Sequence, residues 1–178
     1  MLEYMVLYQS ETGNTKKLAT EIFATLPGMA KDLICIDDQK NIPEAETYFV
    51  GFCVHHGTCS LEIGNFLSDL SNKNTALFGT CGIANCPEYF KSIENSVSIW
   101  LEDDNEYLGA FLCQGKMPLK IRQKFESMMT RQGCDEAKIR KQLQNFDEAM
   151  IHPTEDDVAN ARTFAAGCLN KLAQQKKS

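Results

Sequence analysis

The sequence predicts an α/β fold built on a parallel sheet with helices on both faces. Three observations carry that prediction. Apolar, β-rich runs alternate with amphipathic helical patterns through about the first 115 residues. One run, Thr47 to Val54, is apolar almost throughout, as expected of a strand buried on both faces. A hydroxyl-rich turn, Ser10-Glu11-Thr12-Gly13-Asn14-Thr15, joins the first strand to the first helix.

The elements follow in order. Leu2 to Tyr8 is a short apolar strand. Leu18, Ala19, Ile22 and Leu26 then share one helical face, closed by Pro27-Gly28. Ala30 to Asp37 reads as a second strand, and Thr47 to Val54 as a third. After the loop His55 to Cys59, the residues Ile63, Phe66, Leu67 and Leu70 have helical spacing. Thr75 to Thr80 is a fourth strand. The loop Cys81 to Pro87 leads into a helix with Phe90, Ile93, Val97, Trp100 and Leu101 on one side. The acidic run Glu102 to Glu106 is a solvated turn, and Tyr107 to Cys113 a fifth strand. From Pro118 the helical segments Pro118–Thr130 and Asp135–Phe146 are more charged, and residues 118–150 read as an addition to the repeating pattern. Thr154-Glu155-Asp156-Asp157 resembles a capping box. It opens a last helix burying Val158, Ala161, Ala165, Cys168, Leu169 and Leu172. Residues 1–178 are expected to form a single domain.

The Ser10–Thr15 turn is the chief chemical signal. The first N–H groups of a helix lack intrahelical partners, and the dipole makes that end partly positive. Such an end binds phosphate. Ser10, Thr12, Thr15 and the Asn14 amide offer neutral donors, and Gly13 lets the backbone close around an anion. The loop contains no lysine, so it is not the phosphate loop of a nucleoside triphosphatase. Neutral donors suit a monophosphate.

Composition narrows the rest. A net charge of −6 and a pI of about 5.1 argue against nucleic acid, and the one basic run is Lys176-Lys177 at the tail. No stretch reaches the length of a membrane span, and the N-terminus goes straight into a strand, so no membrane partner and a cytoplasmic protein are expected. The eight cysteines then read as thiols, with Cys35, Cys113 and Cys168 filling core. Cys53, Cys59, Cys81 and Cys86 lack zinc-site spacing, so no metal is expected. Cys59 or Cys86 remains open as a redox-sensing thiol. An acidic response-regulator pocket would need an aspartate where Val54 stands.

Ser-x-Thr-Gly-Asn-Thr after a first strand resembles the FMN-phosphate loop of flavodoxins. Phe78-Gly79-Thr80-Cys81-Gly82 with Glu88-Tyr89-Phe90 is similar to the flavodoxin loop after the fourth strand. Gly51 leading into His55-His56-Gly57 is similar to the loop after the third. Cys113-Gln114-Gly115-Lys116-Met117 and Asn145-Phe146-Asp147 are similar to a subgroup of the family from anaerobic bacteria. The resemblance implies a flavodoxin-like three-layer sandwich with a five-stranded parallel sheet of order 2-1-3-4-5. It implies FMN as cofactor, with the phosphate held by Ser10, Glu11, Thr12, Gly13, Asn14 and Thr15. The ring would be held by Val54, His55, His56, Gly57 and Thr58 on one side, and by Thr80, Cys81, Gly82, Ile83, Cys86 and Tyr89 on the other.

The ring end departs from the family pattern. His55 or His56 stands where a bulky aromatic wall is common, Cys86-Pro87 where a tyrosine is common, and Ile83 where an acidic residue is often found. A carboxylate near the flavin disfavours its reduced anion, so this flavin is expected to have a less negative potential. The resemblance implies an electron carrier shuttling electrons between two redox partner proteins, a reductase and an acceptor. The alternative is an FMN-dependent NAD(P)H:quinone-type reductase on the same fold, and a third class is a flavin-free interaction module. No catalytic triad or general-base pair is legible, which favours the carrier.

Overall fold

The computed structural model describes residues 1–38, 41–83, 86–131 and 133–175. The Lys176-Lys177 run lies outside the described residues. Strands β1 (Leu2–Tyr8), β2 (Lys31–Cys35), β3 (Ala45–Cys53), β4 (Asn74–Cys81) and β5 (Glu106–Gln114) form one parallel sheet in the order β2-β1-β3-β4-β5. This is the order implied by the flavodoxin-like resemblance. The helices are α1 (Asn14–Thr25), α2 (Leu61–Ser68), α3 (Pro87–Ser98), α4 (Leu119–Met129), α5 (Glu136–Ala149) and α6 (Glu155–Gln175).

Strand side chains alternate between two apolar cores. Tyr4, Val6, Phe49 and Phe78 face one core, where α1 supplies Leu18, Ala19 and Ile22 and α6 supplies Val158, Ala161, Ala165 and Cys168. Met5, Leu7, Val50, Phe52 and Leu77 face the other, where α2 supplies Ile63 and Leu67 and α3 supplies Ile93 and Val97. The three layers follow directly: the central strands are apolar on both faces, so both faces need a helical cover.

Local signals set the helix ends. Ser60 caps α2 by accepting from the Ile63 N–H at 3.3 Å. Pro87 opens α3, where its missing N–H costs no hydrogen bond. The capping box before α6 forms as expected. Thr154 Oγ1 accepts from the Asp157 N–H at 3.2 Å, and Asp157 Oδ2 accepts from the Thr154 N–H at 2.6 Å.

Some boundaries differ from the sequence pattern. The second strand stops at Cys35 and turns into a short 3₁₀ segment, Ile36–Asp38. Among the described residues β2 is an edge strand paired with β1 alone, and β1 ends at Tyr8 opposite Cys35, so no ladder remains for it to extend. Helix α3 ends at Ser98, which leaves Trp100 in the following turn, packed against Gly64 of α2. Helix α4 buries no side chain of its own, whereas α5 buries Ile139, Phe146 and Ala149. Among the described residues no helix is long and apolar enough to cross a membrane.

Candidate functional site

In a sheet of this order the strand order reverses between β1 and β3, and a crevice opens outside their carboxyl ends. A cleft of about 300 Å³ lies there. Four chain segments line it. The loop after β1 brings Glu11, Thr12 and Asn14, and the end of β3 brings Cys53, Val54 and His55. The end of β4 brings Thr80, Cys81 and Gly82, and the segment after β5 brings Gly115 to Pro118, Lys120 and Ile121.

The first segment makes an anion seat. Gly13 precedes α1 with φ of 84°, a left-handed conformation that favours glycine, and the space beside its Cα is open. Among the described residues the N–H groups of Asn14 and Thr15 have no protein acceptor. The Lys16 N–H is taken by Ser10 Oγ at 3.3 Å. Thr15 Oγ1 shares a 3.0 Å hydrogen bond with Thr80 Oγ1 in a buried pair that ties α1 to β4.

The Asn14 amide has a different task from the one its type suggests. Its two N–H donors go to Thr12 Oγ1 at 2.7 Å and to the Lys116 carbonyl at 2.9 Å. The side chain is buried and fastens the loop after β1 to the segment after β5. Thr12 accepts in that bond, which leaves its own O–H free to donate outward. The donor set that faces an anion is therefore backbone N–H plus hydroxyl.

The turn after β3 is a tight hairpin. His55 and Thr58 exchange backbone hydrogen bonds at 2.9 and 3.1 Å. Its central residues have positive φ, 51° at His56 and 84° at Gly57, as two-residue hairpins of this hand require. Ser96 of α3 holds the turn by donating to the Gly57 carbonyl at 2.8 Å. This leaves His56 exposed and turns His55 toward the cleft. His55 Nε2 lies 3.3 Å from Cys53 Sγ and 3.7 Å from Glu11 Oε2. Glu11 Oε1 in turn lies 3.7 Å from Lys120 Nζ.

The loop after β4 is held from the far side by the added helices. Asn145 of α5 donates to the Gly82 carbonyl at 2.8 Å, and Gln114 Nε2 approaches the same oxygen at 3.4 Å. Met117 lies directly on Gly82, where an added Cβ would come within 2.4 Å of its sulfur. A thioether is a polarisable wall suited to an aromatic face.

Burial disfavours the thiolate form of the cleft cysteines. Burial pushes the Cys53 thiol up, and burial pushes Cys81 up to about 11. Cys59, which with Cys86 the sequence leaves open as a redox-sensing thiol, is buried and also raised by desolvation. Among the described residues no group of three or more potential metal ligands comes together.

Of the residues expected at the site, Glu11, Thr12, Asn14, Val54, His55, Thr80, Cys81 and Gly82 line the cleft. Ser10, Gly13 and Thr15 form the helix entry at its edge. Gly57 and Thr58 lean on α3 through Ser96. Ile83 and Cys86 border a separate surface hollow beside α5. Tyr89 packs on the core between the sheet and α3. Lys116, Met117, Lys120 and Ile121 also line the cleft, although the sequence does not assign them to the site. Lys116 and Met117 lie in the Cys113–Met117 stretch, but no spacing rule connects it to a turn a hundred residues earlier.

The donor set fits a flavin mononucleotide. One end offers a dipole, backbone N–H groups and hydroxyls, and the other offers the imidazole of His55 and the thioether of Met117.

Comparison with known proteins agrees. A flavodoxin domain model matches residues 5–166. The chain is 34% identical over 176 residues to the flavodoxin-like domain-containing protein BilS of Clostridioides difficile (strain CD3), covering 97% of this chain and 99% of that protein. It is 25% identical over 180 residues to BilS of Clostridium symbiosum (strain WAL-14163), covering 92% and 94%. A flavodoxin structure from Streptococcus pneumoniae TIGR4 superposes with a TM-score of 0.57 at 15% identity, covering 94% of this chain and 98% of that one.

Proposed function

This chain belongs to the flavodoxin family and its cofactor is FMN; on that premise we propose that it is an electron carrier, passing electrons between a reductase and an acceptor protein. When bound, FMN supplies the one- and two-electron chemistry. The chain's own residues bind and orient it. The N–H groups at the start of α1, with the Thr12 hydroxyl, receive the phosphate. Asn14 fixes the loop after β1 against the Lys116 backbone, and Asn145 fixes the loop after β4. Met117 and His55 bound the ring end.

The observation that carries this reading is the state of the cleft side chains. Backbone N–H groups, hydroxyls, a thioether and an imidazole line the cleft, a set suited to holding a cofactor. Burial raises the Cys53 and Cys81 thiols, and Glu11 is engaged by His55 and Lys120 at a half-exposed surface. Electrons would cross a solvent-facing edge in brief encounters, and a net charge of −6 would steer basic partners toward the protein.

Purified protein titrated with FMN provides the test. Flavin bands that sharpen and fluorescence that quenches on binding are expected. The loaded protein should oxidise NAD(P)H with a quinone only when a partner reductase is added. Rapid partner-free turnover would make it a reductase, and absence of any flavin uptake would overturn both readings.

A further inference from the structure

The lining of the cofactor cleft carries more ammonium groups than carboxylates, in an acidic protein. Its lining carries one carboxylate, Glu11, and two ammonium groups, Lys116 and Lys120, with the imidazole of His55 beside them. The whole chain carries −6. Asp37 is outside the lining, accepts a 2.8 Å hydrogen bond from Gln9 and acts on the lining Cys53 through its charge. Both lysines come from the segment after β5, where the chain leaves the sheet and enters the added helices. Lys120 sits in the first turn of α4 and reaches Glu11 at 3.7 Å. Glu11 also receives His55 at 3.7 Å, and His55 belongs to the turn that bounds the ring end. Lys120 and His55 therefore gather on one carboxylate at one end of the cleft, while the anion seat at Gly13–Thr15 is built from neutral donors.

We propose that Lys120 is a cofactor-facing cation that favours the reduced flavin over the oxidised flavin, with Glu11 as its opposing charge. The inference rests on FMN being the ligand of this cleft. Two electrons and one proton convert the neutral oxidised ring to a ring carrying one negative charge. A fixed ammonium group stabilises that product and leaves the neutral reactant almost unaffected. Lys120 is 72% exposed, so solvent screens it and the effect is moderate. The added helical segment thereby acquires a role in the redox chemistry: it delivers the charge that the first loop lacks.

The test loads wild type, Lys120→Gln and Glu11→Gln with FMN and, separately, with riboflavin, and titrates each with dithionite against a reference dye. Lys120 is a surface residue, so its variant keeps the fold. Lys120→Gln should weaken binding of reduced FMN about tenfold relative to oxidised FMN. For a two-electron couple that lowers the midpoint by about 30 mV. Riboflavin should show the same shift, because the charge faces the ring. Glu11→Gln should move the midpoint in the opposite direction. The inference is overturned if the two variants fail to move the midpoint oppositely. It is also overturned if Lys120→Gln weakens oxidised FMN while sparing riboflavin, which would assign the lysine to the phosphate. A wild-type chain that takes up no flavin overturns the proposed function as well; a chain that binds flavin with these midpoints unmoved overturns this inference alone.

Discussion

Replacing Asn14 with alanine separates two roles for one side chain. The residue type, in a turn of this kind, suggests a phosphate donor. In the fold both amide N–H groups are spent on Thr12 Oγ1 and on the Lys116 carbonyl, at 2.7 and 2.9 Å. If the amide is a structural tie, Asn14→Ala removes two neutral hydrogen bonds at about 1 kcal/mol each. The freed Lys116 carbonyl is at the cleft and is rehydrated, so no further burial penalty is added. The flavin-free protein should lose roughly 2 kcal/mol. With an m-value of about 2 kcal/mol/M, the urea midpoint should fall by about 1 M. The melting temperature should fall by about 4–8 °C for a chain of this size. Binding must then reorder the loosened loops, so affinities for FMN and riboflavin should fall together, by up to about thirtyfold. Urea unfolding of the flavin-free protein and fluorescence titration with both ligands measure the two parts. An unchanged urea midpoint, with FMN weakened tenfold and riboflavin untouched, would refute the tie and return Asn14 to the phosphate.

Three further outcomes are expected. Gly51→Ala should destabilise by about 3 kcal/mol in urea, since an added Cβ would meet the fully buried Phe78 ring at 2.3 Å and neither strand can yield. Thr154→Ala should cost about 1 kcal/mol by opening the cap of α6, read as a lower melting temperature. Stability should also fall at alkaline pH. Burial raises Cys81 and Cys168 from near 9 to about 11, so the unfolded chain ionises first. Their stabilising effect is whole below about pH 8 and is lost as pH climbs from 9 through 11. Each thiol should forfeit roughly 2 kcal/mol by pH 10.5, and Cys168→Ala should flatten part of that decline in urea midpoints.

Much of the architecture is legible in the sequence because it depends on local periodicity. The apolar runs mark five strands, and the helical faces with Leu18, Ile63, Ile93 and Val158 are buried where the pattern puts them. The Gly13 turn and the Thr154 box are legible for the same reason: each is closed by atoms only a few residues apart. Strand ends were less legible. Where β2 stops depends on where β1 stops, and that is a property of the pair.

By itself, then, the sequence determined the layered α/β fold and the helix entry of an anion site. Neighbouring residues cooperate in both through hydrogen bonds and hydrophobic spacing. Only the tertiary structure decided the composition of the cleft. Folding put Lys116, Met117 and Lys120 beside Glu11 and Gly82, sent Ile83 and Cys86 to another surface, and committed the Asn14 amide to the Lys116 carbonyl. The physical reason is distance along the chain. The loop after β1 and the segment after β5 are about a hundred residues apart, and they meet only because a parallel sheet gathers the carboxyl ends of its strands at one edge.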